Sequence, residues 1–375
     1  MKICILFIPE NDRKLYQNIS KKIQSEVGNF LKDDIVLPKK CIVISNPPYA
    51  KLPHNIEVWK SCKTLSTNDL YSVFIEKIAT QADGAVIISP QSFLGGSKFK
   101  ILRKVLSDFG GRIWSFDNVP ATIFCGRKKG IFNTNTANSV RAAITIINKK
   151  ENGFRVSPMI RFRADERPQL FSQLDKLLGD IRYFDDTAWT KIPKTLEPLV
   201  SELKNTRQTV HDLIEKNTTK QKARLKITVP STPRYFITGS KRELGRSSKI
   251  EIFAKDKESF DKLYLMINST ISYLWWRIYD GGITLTKSTL LAMPVPDLSA
   301  EKMSDLVTEG INMENDFVVH KLNAGKNNEN IKLPDEYRKK VNNLILHSIN
   351  SVEKAEQLFS IHFNSLAKVM PMWVL

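Results

Sequence analysis

"CIVISNPPYAKL", residues 41–52, decides how the chain is read. A β-branched apolar run, Cys41-Ile42-Val43-Ile44, reads as a buried strand, and it stops at Ser45-Asn46-Pro47-Pro48-Tyr49. Prolines hold φ near about −65° and donate no N–H, so the strand runs into a stiff turn. Around this point strand and helix signals alternate. Ile3–Ile8 reads as a strand, and Asp12–Phe30 as a helix with Leu15, Ile19, Ile23 and Val27 in one stripe. Asn68 caps a helix running through Leu70, Val73, Phe74, Ile75 and Ile78. A strand at Gly84–Ile88, a helix at Lys98–Leu106 and strands at Ile113–Phe116 and Ala142–Ile147 complete the series. The alternation predicts a mostly parallel sheet covered on both faces, with ligands at the carboxyl ends of its strands. Asn46–Tyr49 lies at such an end.

The character changes near residue 150. Helices are predicted at Gln169–Leu178 and Leu196–Asn217, and short strands at Arg224–Val229 and Arg234–Thr238. Ser259–Tyr279 reads as one strongly apolar helix, broken at Gly281-Gly282. The surrounding periodicity places at least one of its Trp275 and Trp276 in the core. From Leu298 the chain reads as helical with a polar interruption at Asn323–Asn330. Three regions follow: 1–150, 151–300 and a helical tail over 301–375.

Composition narrows the class of partner. The chain has 375 residues, 57 Lys and Arg against 39 Asp and Glu, and a net charge of +18. Such an excess points to a polyanion, either nucleic acid or an anionic membrane surface. Clustering favours nucleic acid: ten of the basic residues fall between Lys216 and Lys249, with Glu243 the one acid among them. No apolar run approaches the roughly 18–20 residues of a membrane span. The four cysteines form no CxxC pair and the five histidines no HxxxH, so the sequence predicts neither a disulfide framework nor a metal site. A reducing cytoplasm is the simplest setting.

The turn suggests a chemistry. An amino group conjugated to an aromatic ring, as on adenine, is a poor nucleophile. Two acceptors on its two N–H bonds, the Asn46 side-chain oxygen and the Pro47 carbonyl, would draw the nitrogen towards a tetrahedral form. Tyr49 would offer a flat surface for the base, worth about 1–3 kcal/mol in single-strand binders. The bland alternative is a Pro-Pro turn after a strand.

"SNPPY" after an apolar strand, then "STNDLYSVFIEKI" and "GAVIISPQSFL", resembles the S-adenosylmethionine-dependent adenine-specific DNA methyltransferases. Further on, "TPRYFITGS" (232–240) and "YLWWRIYDGGITLTKSTLLAMPVP" (273–296) resemble the target-recognition domain of TaqI-type and type II restriction–modification enzymes. The resemblance implies an α/β fold: a Rossmann-like methyltransferase sheet shortened at its N-terminus (1–150), an α+β DNA-recognition domain (151–300) and the helical tail. It also implies catalytic roles for Asn46, Pro47, Pro48 and Tyr49, with Phe124 as a second stacking ring unless it is a core residue. In such enzymes a glycine-rich loop after the first strand binds the methyl donor. Ahead of Asn46 the chain has only Gly28, so it reads as starting one strand late. Asp34 or Asp33 would lie by the donor's adenine and Glu10 near its ribose; a solvated loop carboxylate is the competing reading for each.

Duplex DNA is the implied partner, with Arg224, Arg234, Tyr235, Lys241, Arg242, Arg246 and Lys287 as contacts. A second polypeptide supplying the donor loop, and a cognate restriction endonuclease, are further implied partners. Two other functions share these features: a DNA-binding module that has lost catalysis, and a methyltransferase acting on protein glutamine or on RNA.

Overall fold

The computed structural model describes residues 29–32, 35–118, 123, 140–180, 183–184, 188–189, 191–215, 225–233, 236–279, 283–323 and 326–362. The strand expected at Ile3–Ile8 and most of the helix at Asp12–Phe30 lie outside them.

A six-stranded sheet organises the first part: β1 Ile42–Ser45, β2 Gly84–Pro90, β3 Gly111–Phe116, β4 Ala142–Asn148, β5 Phe154–Ile160 and β6 Gly179–Asp180, in spatial order β1-β2-β4-β3-β5-β6. β1 and β2 are parallel, with Ile42 opposite Gly84 and Ser45 opposite Ile87. The helix Leu70–Gln81 makes the crossover between them. β3 and β5 are also parallel, but β4 lies antiparallel between β2 and β3, and β6 antiparallel beside β5. The sheet is therefore mixed, a correction to the mostly parallel one expected. Strand–helix alternation misled because it ends at β3: an inserted antiparallel strand needs no crossover helix.

Alternation on β2 puts Ala85, Ile87 and Ser89 inside. The helices Leu70–Gln81 and Lys100–Leu106 cover one face of the sheet, with Ile75, Ile78, Leu102 and Leu106 against Ile87, Ile113, Ala143 and Ile147. A separate cluster around Trp114, Phe116, Ile160 and Leu170 collects partly buried Ile144 and Ile146 of β4.

A second and larger core runs from Ala188 to Ile361 and includes residues of the tail. Its centre is a pair of helices, Lys257–Asn268 and Thr270–Tyr279, where one was expected. Ser269 divides them in an extended conformation, its hydroxyl donating to the Met266 carbonyl while Asn342 Oδ1 accepts from the Thr270 N–H. Trp275 and Trp276 are both buried there, where a core role was expected for at least one. The single helix expected over Leu196–Asn217 is interrupted after Glu197–Lys204. Gln208–Thr209 instead pairs with Pro294–Val295, and Thr209 with Asp212 forms a capping box that starts the short helix Val210–Leu213. The polar stretch after Leu298 is also more ordered than expected: Val318–Asn323 and Lys326–Ile331 form an antiparallel hairpin between the helices Ala300–Met313 and Asp335–Ser348.

Candidate active site at the carboxyl edge of the sheet

β1 ends at Ser45, and the next four residues leave the sheet beside the carboxyl end of β2. Asn46 and Pro48 are exposed, Pro47 is buried, and Tyr49 keeps 37% of its surface. The Tyr49 hydroxyl donates to the Ile88 carbonyl on β2 at 3.1 Å. Burial pushes its pKa up to about 12, so it is a neutral phenol that donates. On the far side the turn is sewn to the start of the helix Leu70–Gln81. The Leu70 N–H donates to the Ala50 carbonyl at 2.9 Å and the Leu52 N–H to the Asn68 carbonyl at 3.2 Å, while Lys51 bridges to Asp69. Asn68 occupies the left-handed region (φ 56°), one of the few non-glycine types that tolerate it. The corner is thus fixed at both ends while the Asn46 amide faces solvent.

Moving along the same edge, β2 gives way to Gln91, which is buried. Its backbone N–H donates to the Arg141 carbonyl at 2.9 Å, and its Oε1 accepts from the Ser115 hydroxyl. Gln91 Nε2 is buried with no hydrogen-bond partner among the described residues. Beyond it, Asp117 follows β3, Arg141 precedes β4 and Arg161 follows β5. Asp117 Oδ1 accepts from Arg141 Nε and Oδ2 from Arg161 Nε, each at 2.8 Å. Burial alone would raise the Asp117 pKa, but the charges of Arg141, Arg277 and Arg161 outweigh it and hold the carboxyl well below the usual range. Arg277 and Tyr273 come from the helix Thr270–Tyr279, and the Tyr273 hydroxyl accepts from Arg161 Nη2. Arg141 packs its guanidinium over the Trp276 ring at 5.0 Å. This buried cluster docks the helical core onto the sheet. Sequence reasoning missed it because its members lie far apart in the chain; Gln91 stood inside the quoted "SPQSFL" without a role.

The opposite side of the same helix borders a cleft of about 840 Å³. One wall is Gly95–Phe99, which follows β2; the other carries Trp275, Tyr279, Thr286 and Thr289. Lys98 pairs with Asp69, linking this wall to the Asn46–Lys51 corner, and Lys204 Nζ lies 5.7 Å from the centre of the Tyr279 ring. Exposed Lys287 stands next to the hydroxyls of Thr286 and Ser288 that line the cleft.

The expected DNA contacts are not all alike. Lys241 and Lys287 are exposed. Arg242 is half-buried and lies 3.7 Å from Glu329. Arg246 is half-buried and donates to the Ser248 and Glu329 carbonyls, the Thr232 hydroxyl and Asn330 Oδ1, tying its loop to the hairpin. Lys226 and Lys249 share Glu243, whose carboxyl their hydrogen bonds pull down to about 2. Arg224, Arg234, Tyr235, Phe124, Glu10, Asp33 and Asp34 lie outside the described residues. Just before Asp33, buried Lys77 donates to the Phe30 carbonyl at 2.7 Å and the Lys32 carbonyl at 2.6 Å, with its ammonium against the Phe30 and Trp59 rings. Among the described residues no helix is long and apolar enough to cross a membrane, and no group of three or more His, Cys, Asp or Glu could hold a metal ion.

No family model and no curated protein matches the sequence. The solved structures to which the chain is similar include three restriction–modification proteins. A nuclease-deletion mutant of the Type ISP enzyme LlaGI, in complex with a DNA substrate mimic, is 11% identical with a TM-score of 0.39, over 95% of this chain and 53% of that one. The M protein of the type I restriction enzyme EcoKI is 13% identical with a TM-score of 0.27, over 92% and 53%. The ATP-dependent Type ISP enzyme LlaBIII, bound to DNA, is 10% identical with a TM-score of 0.33, over 85% and 37%. The chain thus spans about half of these proteins or less. All three scores lie below 0.5, so the likeness is loose and the chemistry of the site rests on its own residues.

Proposed function

We propose that this chain is an adenine-specific DNA methyltransferase dependent on S-adenosylmethionine, or one subunit of such an enzyme, acting on the N6 amino group of an extruded adenine. The supporting observation is the proline corner: an exposed Asn46 amide, two prolines and a Tyr49 ring tethered to β2, at the carboxyl end of parallel strands. Asn46 Oδ1 and the Pro47 carbonyl would accept the two N6–H bonds and localise the nitrogen lone pair. The methyl donor, when bound, supplies an electrophilic methyl group on sulfur. Transfer to N6 would break the donor's S–C bond and release one N6 proton to water, with Asn46 and Pro47 holding the amino group. Tyr49 would stack on the base, with Phe124 proposed for its other face. Glu10, Asp33 and Asp34 are the carboxylates proposed for the donor, and Lys77 fixes the backbone immediately ahead of Asp33.

Extruding a base costs a few kcal/mol, which phosphate contacts elsewhere offset. The cleft beside Lys98, Lys204 and Lys287 and the exposed Lys241 support duplex DNA as the substrate. Arg224, Arg234 and Tyr235 remain proposed contacts in the same basic region. The outer side of β1 supports a second polypeptide. β2 is its one partner among the described strands, and Ile42 and Ile44 are 77% and 85% exposed. Edges of this kind invite another strand. The exposed Ile42 and Ile44 also favour a second reading, in which the chain by itself binds DNA without methylating it.

Tritiated methyl transfer to unmethylated DNA, with and without a polypeptide carrying a glycine-rich donor loop, separates the readings. Asn46→Ala is expected to lower the rate about a hundredfold or more, the scale seen when one preorganised polar contact to a reacting group is removed. An Asn46→Ala protein as fast as its parent would sink the proposal.

A further inference from the structure

A second cavity, of about 320 Å³, lies between β5 and the helix Thr270–Tyr279 and is separate from the proline corner and the cleft. Its volume falls within the range of small-molecule sites. The lining is of two kinds. Met159, Leu177 and Leu274 are among the apolar residues. Arg161, Lys176, Lys191 and Arg277 are basic, and none of the described lining residues is acidic. Arg161, Lys191 and Arg277 are each more than nine-tenths buried, whereas Lys176 is exposed. Each buried cation has contacts within the protein: Arg161 donates to Asp117, the Ile361 carbonyl and Tyr273, and Arg277 lies over the Trp276 ring at 4.9 Å. Three cations from separate segments nevertheless converge on one apolar space, so the field inside it is positive. Low-dielectric walls focus such a field and raise the local concentration of anions.

We propose that this cavity binds a small organic anion. Its phosphate or carboxylate head lies against Arg161, Lys191 and Arg277, and its apolar body lies among Met159, Leu177 and Leu274. Guanidinium groups match the geometry of both heads, and a charge-assisted bond made out of water is about twice as strong as a neutral one. Because the site joins β5 to the helix that carries Trp275 and Tyr279, its occupant would also stiffen the seam beside the DNA cleft. The proposal does not depend on the methyltransferase reading.

The test is displacement of 8-anilinonaphthalene-1-sulfonate, an apolar anion, from the full-length chain, followed by its fluorescence. Adenosine 5′-monophosphate and octanoate represent the two sources of an anionic head; adenosine and octanol are their neutral counterparts. At least one anion should displace the dye ten times more effectively than its neutral counterpart, and which one does so identifies the head. A duplex oligonucleotide should leave the dye in place. Lys191→Met removes the ammonium but keeps an unbranched side chain one atom shorter, and should weaken dye binding about tenfold, the scale of one lost bond to a charged group. Lys176→Glu, at an exposed position that cannot disturb the core, should weaken it as well. Equal displacement by neutral and anionic competitors, release by duplex DNA, or unchanged dye affinity in the folded Lys176→Glu protein would each overturn the proposal.

Discussion

Two places on one edge of the sheet are built in opposite ways. At the β1 end, backbone hydrogen bonds and prolines hold a polar corner out in solvent, and the Tyr49 hydroxyl tethers it to Ile88. At the β3–β5 end, Asp117 is enclosed by Arg141, Arg161 and Arg277, and the helical core sits on top. Both use polar groups at strand termini, where the ladder stops and side chains are free to take other roles. Exposure leaves the first available to a substrate, whereas burial commits the second to joining two cores. A polar group at a strand end is therefore assigned by what covers it.

The largest expected effect comes from breaking the buried end. Asp117→Asn removes the charge that faces three arginines and should cost roughly 3–5 kcal/mol of unfolding free energy, since it leaves cations buried and uncompensated. Urea denaturation measures this, and a loss below about 1 kcal/mol would mean that the cluster does not hold the halves together. The pH dependence has a definite sign. The folded pKa of Asp117 lies below the unfolded value of about 3.9, so its contribution is complete above that value and is lost as pH falls through the acid range below it. The parent should weaken on acidification in this window more steeply than Asp117→Asn.

How much of this was legible in the sequence follows from how local each feature is. The strand Ile42–Ile44 and the proline corner declared themselves within a few residues, because β-branched side chains and fixed φ act where they stand. The burial read for that strand fails: Ile42 and Ile44 are exposed. β5 was not seen: Phe154–Ile160 is "FRVSPMI", where the short alternation Phe154-Arg155-Val156-Ser157 stops at Pro158. Ser269 divides a helix whose apolar periodicity continues across it, and the hydrogen bond that the Thr270 N–H donates to Asn342, some seventy residues on, shows why. The Asp117 cluster spans residues 117 to 277 and leaves no local trace. Charge counting picked out the basic region but gave Arg246, bonded to its own loop and hairpin, the same weight as exposed Lys241.

A smaller effect is expected at the exposed end, where two variants separate the tether from the platform. Tyr49→Phe loses only the bond to Ile88 and should cost about 1 kcal/mol of stability while leaving a flat ring. Tyr49→Ala loses the ring and should weaken binding of an unpaired oligodeoxyadenylate by about 1–3 kcal/mol. Fluorescence titration distinguishes the two. If both variants bind as the parent does, Tyr49 serves only to pin the corner, and the contrast between the two ends of the sheet loses its functional meaning.

The smallest effect concerns how the basic surface divides. Each phosphate neutralised on duplex DNA contributes about −0.9 to the slope of log affinity against log salt. Lys241→Ala and Lys287→Ala, both at exposed positions, should each make that slope shallower by up to about this amount with sequence preference intact. Arg246→Ala should leave the slope nearly unchanged and instead lower thermal stability, because its guanidinium bonds Thr232, Ser248, Glu329 and Asn330. The reverse result would place Arg246 on the phosphates and show that partners within the fold do not withdraw a cation from DNA. The rule drawn from the two ends of the sheet would then fail on the charged surface, where a contact inside the protein and a contact to the substrate would prove compatible in one side chain.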